Sequence, residues 1–390
     1  MAHLFWATND LNEIKKQTLN FDTKTTSLQD FSIDFKKHYN IVEFKNNDNF
    51  YKVTYHKKSK ELFVHSFLND GSYQVKTIDV SKEVFITSDY KKITFDDILV
   101  GNSSGEKSIR QFFQFVDYTE YTALPTVASL RKAYVVDNNL VLTSDKSLNH
   151  TDLITIDLNT FELSRKTIQK PVISFINYMK SNSFIYDNAI YLLKINSDCL
   201  VLEIKDLNGN LINKLGTMAD EDIVYSLQGI KQLNGDVTKE KEITKTKNFI
   251  RKFQNLRGGL NVYDYKGKKL ITVGAVGLEQ NSNYATIGLI GFGVTGAVVG
   301  AILDANISNN RFNNLDHYSN RKVVYFNTSV NSDLQVDKVE LNILALEKIS
   351  EFLRSNNKVK HVNLTVKNKI YYLGYFSDNS NKYNWKPFVD

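Results

Sequence analysis

Two stretches of this chain repeat one another at a nearly constant distance, and that distance restricts the fold more than any other feature. Val135-Val136-Asp137-Asn138-Asn139-Leu140-Val141-Leu142 leads through a polar turn to Leu153-Ile154-Thr155-Ile156-Asp157-Leu158-Asn159-Thr160-Phe161. Further on, Ile185-Tyr186-Asp187-Asn188-Ala189-Ile190-Tyr191-Leu192 leads to Leu202-Glu203-Ile204-Lys205-Asp206-Leu207-Asn208-Gly209-Asn210-Leu211. The Asp-Asn pairs stand 50 positions apart and the Asp-Leu-Asn triplets 49. Asp-Asn and Asn-Gly supply the left-handed backbone angles of tight hairpin turns, and the β-branched and aromatic runs on either side supply strands.

Other fragments follow the same scheme. Val262-Tyr263-Asp264-Tyr265-Lys266-Gly267-Lys268-Lys269-Leu270 repeats the second hairpin, and Val366-Lys367-Asn368-Lys369-Ile370-Tyr371-Tyr372-Leu373 repeats the first. Near the start, residues 50–55, 61–67 and 72–78 form a three-strand meander turned at Lys57-Lys58-Ser59 and Asn69-Asp70-Gly71. A period of roughly 40–50 residues carrying four short strands is that of a propeller blade. The chain therefore resembles the β-propeller repeat proteins as an architecture, over about two thirds of its length, without the Gly-His and Trp-Asp or double-glycine signatures of particular families. The resemblance implies an all-β fold, a single propeller-like domain over residues 1–390 with six or seven blades. One short helix interrupts it at residues 345–355, where Leu346, Ile349 and Leu353 fall at helical spacing.

A glycine-rich run breaks the pattern inside an insertion at 283–319. From Ile287 to Leu303 it carries no charge and five glycines. Gly291-Phe292-Gly293-Val294-Thr295-Gly296 matches the dinucleotide fingerprint, which needs a following strand that ends in an acidic residue about 20 positions on. The region there is Asn306-Ile307-Ser308-Asn309-Asn310, a loop, so a dinucleotide enzyme ranks third. The seventeen residues touch the lower limit of a membrane span, but the glycines weaken one. Gly296 and Gly300, with Gly293, Ala297 and Ala301 beside them, suit close helix packing. An apolar element folded against the domain is the plainest reading; exposed, it makes Phe292, Val294, Val298, Val299 and Ile302 contact residues for another protein, a second copy or a lipid surface.

Lys245, Lys247, Arg251, Lys252 and Arg257, with Phe249 and Phe253 interleaved, form a second contact candidate or an ordinary solvated face. The net charge of +6 over 49 basic and 43 acidic side chains implies no strong anionic partner, and no nucleic acid is expected. Gly101-Asn102-Ser103-Ser104-Gly105-Glu106-Lys107-Ser108 misses the phosphate-loop spacing and sets a carboxylate where phosphate would sit. The histidines His3, His38, His56, His65, His150, His317 and His361 show no ligand spacing, so no metal or other cofactor is expected. No nucleophile elbow occurs, and Cys199 lies in an apolar run as an inert thiol. No signal peptide is visible at the start of this sequence, which makes the cytoplasm the default compartment and the cell envelope the alternative if an export signal precedes it, and the Asn- and Lys-rich, Pro-poor composition suits a bacterial source.

The function these features point to is a non-enzymatic binding scaffold, using a propeller face and the apolar insertion. The alternative is a propeller-type hydrolase, for which the recurring Asp137, Asp157, Asp187, Asp206 and Asp264 are the carboxylates that a central channel would gather. Turn chemistry accounts for those aspartates without catalysis.

Overall fold

The computed structural model describes residues 2–7, 13–32, 35, 37–99, 112–174, 178–234, 240–278, 321–342, 344–356, 359–367, 369–377 and 380–390. The whole glycine-rich insertion and residues 101–108 lie outside them. The described residues form a succession of sheets in which most strands pair antiparallel with their neighbours in sequence, the exceptions being the parallel pair of residues 114–115 with 132–133 and the pairing of residues 231–234 with 322–325, and this is the β-propeller arrangement. The chain divides into two compact units, residues 1–115 with 131–167, and residues 116–130 with 168–390.

In the first unit, β1 (Ala2–Ala7), β2 (Glu13–Asn20) and β3 (Thr25–Ser32) form a three-stranded sheet. A four-stranded sheet follows, of β4 (His38–Asn46), β5 (Asn49–His56), β6 (Glu61–Phe67) and β7 (Tyr73–Asp79). A short hairpin, β8 (Val84–Ile86) with β9 (Lys92–Thr94), runs into helix α1 (Phe95–Leu99). The next sheet orders β10 (Gln114–Phe115), β11 (Arg131–Val136), β12 (Asn139–Ser144), β13 (His150–Asp157) and β14 (Leu163–Gln169), the last of which runs on into the second unit. Ile41, Val53, Leu62 and Val64 from one sheet and Ala133, Leu142 and Ile154 from the other share a core with Phe95 and Ile98 of α1.

The second unit begins with helix α2 (Leu124–Val127) and continues with a four-stranded sheet of β15 (Lys180–Tyr186), β16 (Ala189–Ile195), β17 (Cys199–Asp206) and β18 (Leu211–Met218). Every residue of β16 is buried, whereas the last strand, β18, is largely exposed. The continuous apolar run Ala189-Ile190-Tyr191-Leu192-Leu193 is what a strand covered on both faces requires. Next come β19 (Ile230–Asn234), β20 (Lys241–Ile243), helix α3 (Thr246–Gln254), β21 (Arg257–Tyr265), β22 (Lys268–Val276) and β23 (Lys322–Val330), in sheet order β20-β19-β23-β22-β21. Glycines let α2 approach this sheet: a Cβ on Gly259 would stand 2.9 Å from the Ala128 backbone, and one on Gly274 2.7 Å from Leu124. The unit closes with helix α4 (Ala345–Ser355) packed on β24 (Val359–Lys367), β25 (Ile370–Ser377) and β26 (Lys382–Phe388).

The repeat in the sequence is the hairpin repeat of the fold. Asp137 and Asn138 turn β11 into β12 with φ of 47° and 61°, and Asp187 and Asn188 turn β15 into β16 with φ of 49° and 58°. Both pairs adopt the left-handed angles of the two-residue turn that matches strand twist. The expected count of six or seven blades is too high. Among the described residues only four sheets have four or five strands; two have three and one has two. Chain length goes instead into elements outside the larger sheets, such as the β8–β9 hairpin and helices α1 and α2.

Candidate functional site

The second unit holds a cavity of about 200 Å³ lined by Thr119, Glu120, Tyr263, Val366, Lys369 and Tyr371. Each wall has a local cause. Asp117 accepts hydrogen bonds from the Thr119 backbone N–H at 3.1 Å and from its hydroxyl at 2.5 Å, a side-chain turn that brings Glu120 to the rim. Tyr263 stands on β21, with Tyr121 edge-on to its ring at 6.0 Å. Val366 and Tyr371 stand either side of the turn between β24 and β25, where Lys369 takes a φ of 62°. The Lys369 ammonium lies 3.0 Å from the Asp264 carboxylate.

The phenols are the buried members, and Glu120 is half-exposed. Burial, reinforced by the hydrogen bond that its hydroxyl donates to Asp390, drives the Tyr263 phenol far above the ordinary range. Burial, and then the nearby Glu120 charge, raise Tyr371 as well. Both therefore keep their protons at neutral pH and act as O–H donors. Asp390 also accepts the Ala345 backbone N–H at 2.6 Å, so its carboxylate is occupied in closing the start of α4. The cavity thus combines a half-exposed carboxylate with two protonated phenols, of which Tyr263 gives its O–H to Asp390, and an ammonium, a set able to accept a proton and to stabilise negative charge on oxygen.

Other polar groups come together elsewhere without making such a site. In the first unit, Lys132 and Asp145 form an ion pair at 3.1 Å with no solvent exposure of either side chain, and Thr151 donates to Asp145 at 2.7 Å. Asp152 lies 3.5 Å from Arg165 and 3.6 Å from His150. Because Ser144 pairs with Asp152 across β12 and β13, strand alternation puts Asp145 and Asp152 on opposite faces of the sheet. They do not flank a common substrate position.

Three histidines that are remote in sequence gather on β4, β5 and β6. His38 and His56 face each other with ring centroids 5.2 Å apart, and the Thr54 hydroxyl sits 2.9 Å from His38 and 3.2 Å from His65. Reading the histidines for ligand spacing along the chain did not find them; the alternation of residues 54, 56 and 65 across two hairpins was the available signal. In the second unit Glu203 lies 3.0 Å from Lys205 and 3.3 Å from Lys214. Among the described residues, no group of three or more His, Cys, Asp or Glu side chains is arranged to hold a metal ion.

The residues singled out from sequence fall as follows. Phe292, Val294, Val298, Val299 and Ile302 lie outside the described residues. Lys247, Arg251 and Lys252 stand on α3, Lys245 precedes it and Arg257 begins β21. Phe249 and Phe253 of α3 are buried, so no aromatic face accompanies these cations. Asp157 accepts the backbone N–H groups of Asn159 and Thr160, and Asp206 those of Asn208 and Asn210, which makes both turn residues. Asp187 pairs with Lys269 at 2.9 Å. Cys199 is half-buried, with its thiol pushed up by burial.

No family model matches the chain, and no curated protein does. Among solved structures, the chain is similar to a GH43 endo-arabinanase from Bacillus licheniformis at 10% identity, covering 89% of this chain and 93% of that one with a TM-score of 0.28. An alpha-L-arabinofuranosidase from Clostridium thermocellum gives 8% identity, 87% and 82% coverage and a TM-score of 0.30. The WD40 domain of SCAP from fission yeast gives 8% identity, 99% and 76% coverage and 0.27. The expectation of a non-enzymatic scaffold is corrected at this point: glycoside hydrolases stand among the neighbours, so the architecture does not speak for absence of chemistry. At these scores none of the likenesses assigns an activity, and the case for one rests on the residues.

Proposed function

We propose that the protein is a hydrolase on a propeller frame, with Glu120 as the general base of the cavity between β21, β24 and β25. The observation that carries this reading is the meeting of a half-exposed carboxylate with two buried, protonated phenols around one small cavity. Glu120 takes a proton from the water that attacks the scissile centre, the bond to the leaving oxygen breaks with the Tyr371 hydroxyl donating a hydrogen bond to the oxygen that gains charge, and Glu120 then returns the proton to the leaving oxygen. Tyr263, tied to Asp390, positions Tyr371, and Lys369 adds positive charge at the rim. The frame that goes with this proposal has five blades, formed around β5, β12, β16, β22 and β25.

The test is hydrolysis of arabinan, galactan, and panels of p-nitrophenyl glycosides and esters by the full chain. Glu120→Gln should lower the rate on the accepted substrate by about a hundredfold or more, the range of general base catalysis, with an unchanged circular dichroism spectrum. An unchanged rate in that variant, or no hydrolysis of any member by the unaltered protein, would remove the proposal.

A further inference from the structure

The sheet of β24, β25 and β26 has two unlike faces. Leu364, Leu373 and Phe388 turn one of them onto α4. On the other, Gly374 pairs with Trp385 and Phe376 with Tyr383, so alternation sets Trp385 and Tyr383 side by side, away from the helix. A solvent-facing strand ordinarily carries charged or small polar residues at such positions. Here Tyr383 and Trp385 leave 46% and 52% of their surface exposed.

Gly374 builds this arrangement. A Cβ at that position would stand 2.5 Å from the Tyr383 hydroxyl and 2.9 Å from the Trp385 ring, so only glycine lets both side chains lie down across the middle strand. The two rings meet at 5.7 Å and 73°, one as a floor and the other as a wall. Asn363 pairs with Gly374 and Thr365 with Tyr372 on the same face, and both are exposed. Flat aromatic surface bordered by an amide and a hydroxyl matches one chemistry well. A sugar ring offers an apolar C–H face to stack on an indole and a rim of hydroxyls to bond at the edge.

We propose that this face is a platform that binds a neutral oligosaccharide, with Trp385 as the stacking floor, Tyr383 as the wall, and Asn363 and Thr365 as hydroxyl partners. The chain has only two tryptophans, so in a Trp6→Phe variant the indole fluorescence comes from Trp385 alone. Titrating that variant with arabinohexaose, galactohexaose, xylohexaose and cellohexaose should give a saturable change with at least one of them. Electrophoresis through gels containing the matching polysaccharide should retard the full chain. Trp385→Ala and Tyr383→Ala should each weaken retardation at least tenfold, Trp385→Phe should preserve it within a few fold, and thermal melts should show which variants keep the fold.

Platform binding is independent of the Glu120 reading, because Glu120→Gln should lower hydrolysis about a hundredfold or more and leave retardation unchanged. No fluorescence response to any of the four sugars, or undiminished retardation of folded Trp385→Ala and Tyr383→Ala, would overturn the platform. Self-association in sedimentation that disappears in Trp385→Ala would overturn it too, and would assign the face to a second copy of the chain.

Discussion

At the scale of single residues, His65 has the clearest electrostatic consequence. Burial, then the proximity of His38 and of the Lys52 ammonium, push its imidazole down to about 4. Its ring is held neutral between Thr54 at 3.2 Å and Tyr73 at 2.8 Å. Since the unfolded chain takes up this proton near pH 6.5 and the folded one near 4, protonation favours the unfolded state between those values. Stability is therefore full above pH 6.5 and falls as the pH drops towards 4, by about 3 kcal/mol at most. Urea midpoints measured at pH 7 and 4.5 check this, and His65→Gln should flatten the difference; a midpoint that does not change with pH in the unaltered protein contradicts it. Phe249, fully buried against Phe253 and Phe326, is a packing residue, and Phe249→Ala should cost about 3–5 kcal/mol in the same assay.

At the scale of elements, the hairpin turns are where sequence and structure agree most closely. Asn188 holds a φ of 58° in the turn between β15 and β16, a backbone state that glycine adopts freely and a β-branched residue resists. Asn188→Gly should leave the melting temperature within a degree or two, whereas Asn188→Val should cost about 1–2 kcal/mol. Helix α4 was equally legible: Leu346, Ile349 and Leu353 predicted it over residues 345–355, and all three are buried against β24–β26. What places its start was not legible. The Leu344 N–H is taken by Glu347 at 3.0 Å, a local contact, but the Ala345 N–H is taken by Asp390, forty-five residues away.

At the scale of the molecule, the second unit is discontinuous in sequence, and this has a measurable consequence. Residues 116–130 belong with 168–390, and Leu124, Val127 and Ala128 meet glycines of β21 and β22. A fragment of residues 168–390 should therefore unfold without a sharp transition, and a peptide of residues 116–130 added in trans should sharpen it or raise its midpoint. A fragment that melts cooperatively and ignores the peptide would show that the division lies elsewhere. The same interleaving explains why the blade count was overestimated. A repeat distance of 49–50 counts blades correctly only if every stretch of that length is a blade, and here the described sheets range from two strands to five, with helices α1 and α2 set between β9 and β11.

Local chemistry determined the hairpins, the short helix and the turn role of Asp137, Asp157, Asp187 and Asp206, though not of Asp264, which lies within β21, because backbone angles and strand alternation are settled by neighbours a few residues apart. The candidate cavity and the aromatic platform were invisible by that route. Glu120, Tyr263 and Tyr371 are separated by more than a hundred residues in each step, and Trp385 lies flat only because Gly374 on the adjacent strand has no side chain. Pairing register decides which distant side chains share a face, and register is a property of packed sheets rather than of any one segment.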